Sequence, residues 1–255
     1  MKIAVVGKGG AGKTVISGTL ARLLARQGNR VLAVDLDTNP GLALSLGLGL
    51  GVDASLPAEA VEESKDAMYG YRLRRDLTPA EVVERYSIPA PDGVRYLAMG
   101  KIERAKHLVQ RTVVATQDLM SGFNEPGWHV LGDLEAGPTT PFEGYTKFAE
   151  FALLVARPGA SSSHTARRLA AVLRNQNLPF QVLGNQVRDT AGTQAIEALA
   201  ASLGAPLIGC MPWDPAVAEC ERLGLAPLDE VPGSPVVAFL DRIGHMLPAM
   251  AGATR

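Results

Sequence analysis

Eight residues near the N-terminus, GKGGAGKT at positions 7–14, constrain this chain more than any other stretch. They follow a short apolar run at residues 3–6 and lead directly into a helical pattern at 14–26, which Gly28 closes as a C-terminal glycine would. The spacing G-x-x-x-x-G-K-T between a strand and a helix is that of a phosphate-binding loop. Gly7, Gly9, Gly10, Ala11 and Gly12 leave the backbone free to turn its N–H groups onto one point. The helix behind them adds its positive end. In such a loop Lys13 binds the β- and γ-phosphate oxygens, and the Thr14 hydroxyl ligates Mg2+. Val15 continues the binding segment into the helix. A plain glycine turn is the bland alternative, and the strand–loop–helix context argues against it.

The remainder of the chain repeats that alternation. Short apolar runs at 31–35, 94–98, 128–133, 151–155, 180–183 and 206–209 read as further strands. Helical patterns fall at 164–176, 193–202, 215–223 and 236–246. Strands and helices in alternation predict an α/β fold, a mostly parallel central sheet with helices on both faces. The length of 255 residues suits one such domain. Residues 47–92, which hold GLGLGVDASLP and the breakers Pro89 and Pro91, read as a variable insertion of that domain.

Composition mainly excludes. A net charge of −1 gives no overall basic field for nucleic acid or an anionic membrane. No apolar run approaches the roughly 18 residues of a membrane span, and MKIAVV does not read as a signal peptide. The cytoplasm is therefore the expected location. Cys210 and Cys220 are too few for a disulfide framework and read as thiols, more as small apolar residues than as ligands. The four histidines, His107, His129, His164 and His245, are scattered and read as surface or satisfied residues.

A phosphate loop of this type needs a second carboxylate for the metal, at the end of a neighbouring strand. WHVLGDLEAG supplies Asp133, followed by Gly137, whose amide can follow a γ-phosphate as a switch. VLAVDLDTNPG adds Asp35 and Asp37. Along an extended strand these two point to opposite faces, and both approach the phosphates only if the turn begins between them. Capping of the next turn through Asp37 and Asn39 is the structural alternative.

GKGGAGKT resembles the deviant Walker A loop of the ATPase family that includes ParA, MinD, the nitrogenase iron protein and the CooC-type accessory ATPases. Four further segments fit that family in order. DLDTNPG is similar to its switch I, DLEAG to its switch II, and LGNQVRD with GCMPWDPAVAE to its base-binding loops. The resemblance covers nearly the whole chain. It implies an ATP-dependent homodimer in which Lys8, the extra loop lysine, reaches the partner's nucleotide as an arginine finger would. A solvated lysine is the alternative. By the same resemblance Asp37 orients or activates the attacking water, Asp133 holds Mg2+ through water, and Asp35 supports the metal shell. Asn185 reads adenine, with Pro212 and Asp214 shaping the pocket. NQVRD does not read as the N-K-x-D guanine motif.

Within the family, KIAVVGKGGAGKT, GTLARLLARQG and DLDTNPGLALSLG resemble the CooC-type branch most closely. Two departures accompany the likeness: YLAMGKIERAKHLVQ carries no C-x-C pair, and Pro138, Thr139 and Thr140 stand where glutamate–histidine is usual. The expectation is a slow, partner-regulated Mg-ATPase switch acting on a client protein; Lys101, Glu103, Arg104 and Lys106 read first as a solvated helix and second as partner-facing residues. A ParA-type ATPase binding DNA nonspecifically, through Arg167, Arg168 and Arg174 or Arg72, Arg74 and Arg75, is the runner-up. An ATP-dependent small-molecule synthetase, using the 47–92 region as its second pocket, is the alternative from another class. A MinD-like membrane tail is not expected, because FLDRIGHMLPAMAGATR has few cations and no clear polar face.

Overall fold

The computed structural model describes residues 1–67, 70–99, 106–142 and 144–252. In chain order the strands are β1 (Lys2–Gly7), β2 (Arg30–Leu36), β3 (Val61–Glu63), β4 (Tyr71–Leu73), β5 (Ile88–Pro89), β6 (Arg95–Ala98), β7 (Trp128–Leu134), β8 (Phe151–Ala156), β9 (Phe180–Val187) and β10 (Leu207–Pro212). The helices are α1 (Lys13–Arg26), α2 (Leu42–Ser45), α3 (Pro79–Tyr86), α4 (Lys106–Gly122), α5 (Thr139–Phe142), α6 (Ala160–Asn175), α7 (Thr190–Ser202), α8 (Pro215–Leu223), α9 (Pro227–Glu230) and α10 (Pro235–Gly252).

Eight strands form one sheet in the order β10-β9-β8-β1-β7-β2-β6-β5. Every pairing is parallel except the antiparallel edge pair β5–β6. Alternation along β1 shows why both faces need cover. Ile3 and Val5 enter one core with Ile16, Leu20 and Leu24 of α1, while Ala4 and Val6 enter the opposite core with α4, α6 and α7. Helix α10 lays Val237, Leu240, Ile243 and Leu247 into the first core beside α1. Its apolar face is thus spent on packing. No described helix is long and apolar enough to cross a membrane.

This is the doubly covered, mostly parallel sheet that the alternating pattern predicts, with three local differences. Helix α4 was expected only as a solvated helix, yet Ala115, Leu119 and Met120 are buried in the second core. Within residues 47–92 the antiparallel pair β3–β4 packs on α4, and α3 opens on a capping box in which Thr78 and Glu81 bond each other's backbone. Strands β9 and β10 also run past their expected ends, to Val187 and Pro212, so Asn185 lies within β9 and Pro212 closes β10. Lys101, Glu103 and Arg104 lie outside the described residues.

The order β8-β1-β7 sets β1 in the middle of the sheet. The loop after β1 therefore opens between the carboxyl ends of its neighbours, where open α/β sheets place their ligands.

Candidate functional site

The loop closes through its own backbone. Ala11 N donates to Lys8 O at 3.1 Å, and Ile16 N donates to Gly12 O at 3.0 Å to begin α1. Gly12 takes φ 88° at the N-cap of α1, where no side chain caps the helix. The free N–H groups of that first turn remain available to an anion. Lys13 is buried at the base of the loop.

The two strand-end carboxylates meet through sheet register. Asp35 on β2 is the direct partner of Asp133 on β7, and Asp133 is also paired with Val5 of β1. Both are essentially inaccessible. Burial raises both carboxyls, Asp35 to about 7 with the Asp133 charge adding to it, and Asp133 to about 6 against the opposing pull of Thr14, Lys13 and Ser17. Ser17 Oγ donates to Asp133 Oδ1 at 3.1 Å. The oxygens of Asp35 are already engaged, Oδ1 by Asp37 N at 3.1 Å and Oδ2 by Gly41 N and Leu42 N at 2.9 and 2.8 Å. Asp35 thereby folds the 37–41 turn and holds the start of α2. A hydroxyl and carboxylates, all hard oxygen donors on rigid elements, fit Mg2+.

Asp37 lies past the end of β2, so the turn does begin between the two aspartates. Its Oδ1 accepts from Asn39 N at 2.8 Å, the local cap that was the structural alternative. Its charge still acts on both Asp35 and Asp133, which brings it to the same site. Gly137 follows β7 with φ 94°, and its N–H donates to Gly7 O at 3.0 Å. The Asp133–Gly137 segment therefore lies directly on the phosphate loop.

On the other side, Asn185, Pro212 and Asp214 line one narrow cleft with Val15 and Ile16 of α1, about 30 Å3 in volume. Asn185 is buried, donates from Nδ2 to Ala11 O at 2.8 Å, and accepts Gln186 N at 2.8 Å. Asp214 caps α8 by accepting Ala216 N and also takes the Ser234 hydroxyl.

Lys8 sits apart from this interior group. Its Nζ donates to Ser161 Oγ at 2.7 Å at the start of α6. It lines a separate open cleft of about 420 Å3 together with Arg157, Ser162 and Arg188. Register and loop closure thus gather Lys13, Thr14, Asp35, Asp37, Asp133 and Gly137 at one point, Asn185, Pro212 and Asp214 beside it, and Lys8 outside it.

Ser17, Ser161, Gln186 and Trp213 were not singled out from sequence. Ser17 had a usable signal, since it lies three residues after Thr14 on the same helix face. Ser161 had none, because its contact with Lys8 spans 153 positions. Neither cysteine lines the two clefts described above: Cys220 is buried, and Cys210 is half-buried on β10, with both thiols pushed up by desolvation. His129 is half-buried on β7, where desolvation lowers its imidazole.

The chain is similar in sequence and in fold to known nucleotide-binding proteins. The sequence model of the CobQ/CobB/MinD/ParA nucleotide binding domain matches residues 2–228. An ATP-binding protein of Methanocaldococcus jannaschii is 29% identical over 231 residues, 88% of this chain and 90% of that protein. The carbon monoxide dehydrogenase accessory protein CooC of Rhodospirillum rubrum is 27% identical over 273 residues, covering 96% and 98%. The septum site-determining protein MinD of Pyrococcus horikoshii, complexed with Mg-ADP, superposes with a TM-score of 0.73 at 21% identity, over 100% of this chain and 98% of that one.

Proposed function

The chain belongs to the CobQ/CobB/MinD/ParA nucleotide-binding family, and from that premise we propose that it is a Mg-ATPase of the deviant Walker A type that dimerises on ATP and switches a client protein. The observation that carries this reading is the separation of the two loop lysines. Lys13 is buried beside its own carboxylates, whereas Lys8 reaches out to Ser161 on a surface cleft. A lysine so placed can neutralise a phosphate arriving from a second copy, exchanging an exposed bond to one neutral hydroxyl for a charge-assisted bond to an anionic oxygen.

The roles follow from position. Backbone N–H groups of residues 9–15 and the Lys13 ammonium bind the β- and γ-phosphates. Thr14 and Asp133 hold Mg2+, with Asp35 supporting them from the second strand. Mg2+ supplies charge neutralisation on the phosphates. Asp37 orients the attacking water. Gly137, resting on Gly7, leaves that contact to follow the γ-phosphate, so occupancy is read out by the 133–137 and 37–41 segments. Asn185 contacts adenine, between Pro212 and Asp214. Slow hydrolysis then serves as a timer, and the likeness to CooC favours an accessory role toward another protein.

Lys13→Ala should abolish nucleotide binding. Lys8→Ala should keep it while losing ATP-driven dimerisation and turnover, as read by light scattering on a sizing column with and without ATP and Mg2+. A normal dimer and full ATPase rate in the Lys8 variant would refute the trans role.

One observation supports a second reading, the small-molecule synthetase. A cleft of about 390 Å3 lies between the β3–β4 hairpin and α4, lined by Ser64, Asp66, Arg72, Asp118 and Lys147 among others. Stimulation of ATP hydrolysis by a small acceptor, rather than by a protein, would favour it. DNA binding is less well supported: Arg72 pairs with Glu62, Arg74 with Asp76, and Arg174 with Leu203 O and the Phe180 ring.

A further inference from the structure

The narrow cleft beside Asn185 has an aromatic wall. Trp213, between Pro212 and Asp214, lines it together with Val15, Ile16 and Val217. Its backbone is tied down, with Trp213 N donating to Val187 O at 2.8 Å. The guanidinium of Arg188 lies 4.2 Å from the centre of its indole ring. Arg188 does not line this cleft. It lines the open cationic cleft instead, beside Lys8 and Arg157. The guanidinium thus stacks on the indole from a residue of the open cleft, while Trp213 itself lines the narrow one. The Arg188–Trp213 stack, together with Gln186, which lines both, stands between the two clefts.

Position makes this wall relevant to a nucleotide. Val15 lies two residues beyond Lys13, and Asn185 is bonded to the carbonyl of Ala11 in the loop itself. A base joined through ribose to phosphates held at residues 9–15 falls within this cleft's reach. A cleft of about 30 Å3 holds roughly one water. A purine enters only if the wall shifts.

We infer that Trp213 is the stacking platform for the nucleotide base, with Arg188 as the positioning residue that holds the indole from the other side. The inference rests on the ATP-binding reading above and deepens it. The cation over the outer face preserves the ring's orientation when the inner face is wet. Displacement of the ring by a base moves Arg188 as well, and Arg188 shares a cleft with Lys8. Base occupancy is thereby transmitted to the surface that carries the trans lysine.

The test uses the full-length protein with Trp128→Phe, which leaves Trp213 as the sole indole, and two ligands with Mg2+: ATP, and inorganic tripolyphosphate, which has phosphates but no base. ATP should change the Trp213 emission, and tripolyphosphate should not. In otherwise wild-type protein, Trp213→Ala should weaken ATP about tenfold, the effect of losing one base–aromatic stack, while tripolyphosphate binding stays within twofold and so reports an intact fold. Trp213→Phe should restore most of the loss. Arg188→Ala should weaken ATP several-fold and leave tripolyphosphate unchanged. Unchanged ATP affinity in Trp213→Ala, or an equal loss for both ligands, overturns the inference alone. If the wild-type protein binds tripolyphosphate but not ATP, the ATPase reading falls and this inference with it.

Discussion

Gly12 stands at φ 88°, with the Asn185 amide nitrogen 2.3 Å from where a side-chain carbon would begin. The left-handed conformation alone costs an alanine about 1–2 kcal/mol, and the collision adds to it. The residue that gives way is Asn185, whose amide braces Ala11 O. Gly12→Ala should therefore fold yet lose most nucleotide affinity, as measured by titration with a fluorescent ATP analogue; near-native affinity would show that the loop tolerates another shape. The paired carboxylates act at the same scale. Asp35 and Asp133 are adjacent across β2 and β7, both raised by burial, and they titrate together. A carboxyl raised in the folded state stabilises it below its unfolded value, near ~4, and that contribution is lost as pH rises through the folded value. The nucleotide-free protein should thus lose thermal stability as pH rises from about 4 to about 7, with the slope flattening above that. Asp133→Asn should flatten that slope, and Mg2+ with nucleotide should restore stability at the alkaline end. A melting temperature that climbs over this range in nucleotide-free protein would contradict the assignment.

Among the elements, α1 does more than carry the loop. Gly18 lets α2 approach so closely that an added carbon would lie 2.5 Å from Ser45 Cβ and 2.8 Å from its carbonyl carbon. Asp35 holds the first amides of α2 from the other end. The 37–41 segment is thus strung between a buried carboxylate and a helix pressed on α1. Gly18→Ala should cost about 1–3 kcal/mol by overpacking and slow hydrolysis more than it weakens ADP binding, because the displaced element follows Asp37. Equal loss in both would point to a general packing defect. Farther along α1, Arg22 is 2% exposed and holds Asp92 through Nε at 2.6 Å and Asp229 through both Nη atoms at 2.6 and 2.7 Å. It thereby fixes α1 to α9 and to the end of the 47–92 segment. Asp229 is 44% exposed, so Arg22→Met should cost about 1.5–3 kcal/mol at neutral pH, less than a fully buried pair. Arg22 hydrogen bonding holds the Asp229 carboxyl below its usual range. Its stabilisation is complete above the unfolded value and lost as pH falls through the folded one. Denaturant midpoints of variant and wild type should converge as the carboxyl is titrated with acid; a constant gap would assign the loss to packing alone.

At the scale of the whole molecule, the sheet brings distant motifs together by register. Thr14, Asp35 and Asp133 belong to separate segments, and parallel pairing of β1, β7 and β2 sets their ends side by side. That meeting was legible because each motif sits at the end of an apolar run, and strand ends on one edge of a parallel sheet converge. Asn185 and Pro212 were legible for the same reason, although β9 and β10 run farther than their apolar runs suggested. The buried face of α4 was not legible: the charged residues at its start read as a solvated helix, and only the second core shows that Ala115 and Leu119 are covered. Ser161 under Lys8 and Arg188 over Trp213 were equally hidden, because such pairs depend on where two strand-end loops come to rest. By itself, then, the amino-acid sequence determined the phosphate loop, the order of the strands and helices, and the carboxylates at the strand ends. Those are local matters of glycine spacing, period and residue chemistry. Tertiary structure alone decided that Asp35 spends its oxygens on the backbone, that Gly137 rests on Gly7, and that Lys8 faces a different cleft from Lys13. Such choices are made by burial and by register between segments far apart in the chain, which no short-range pattern encodes.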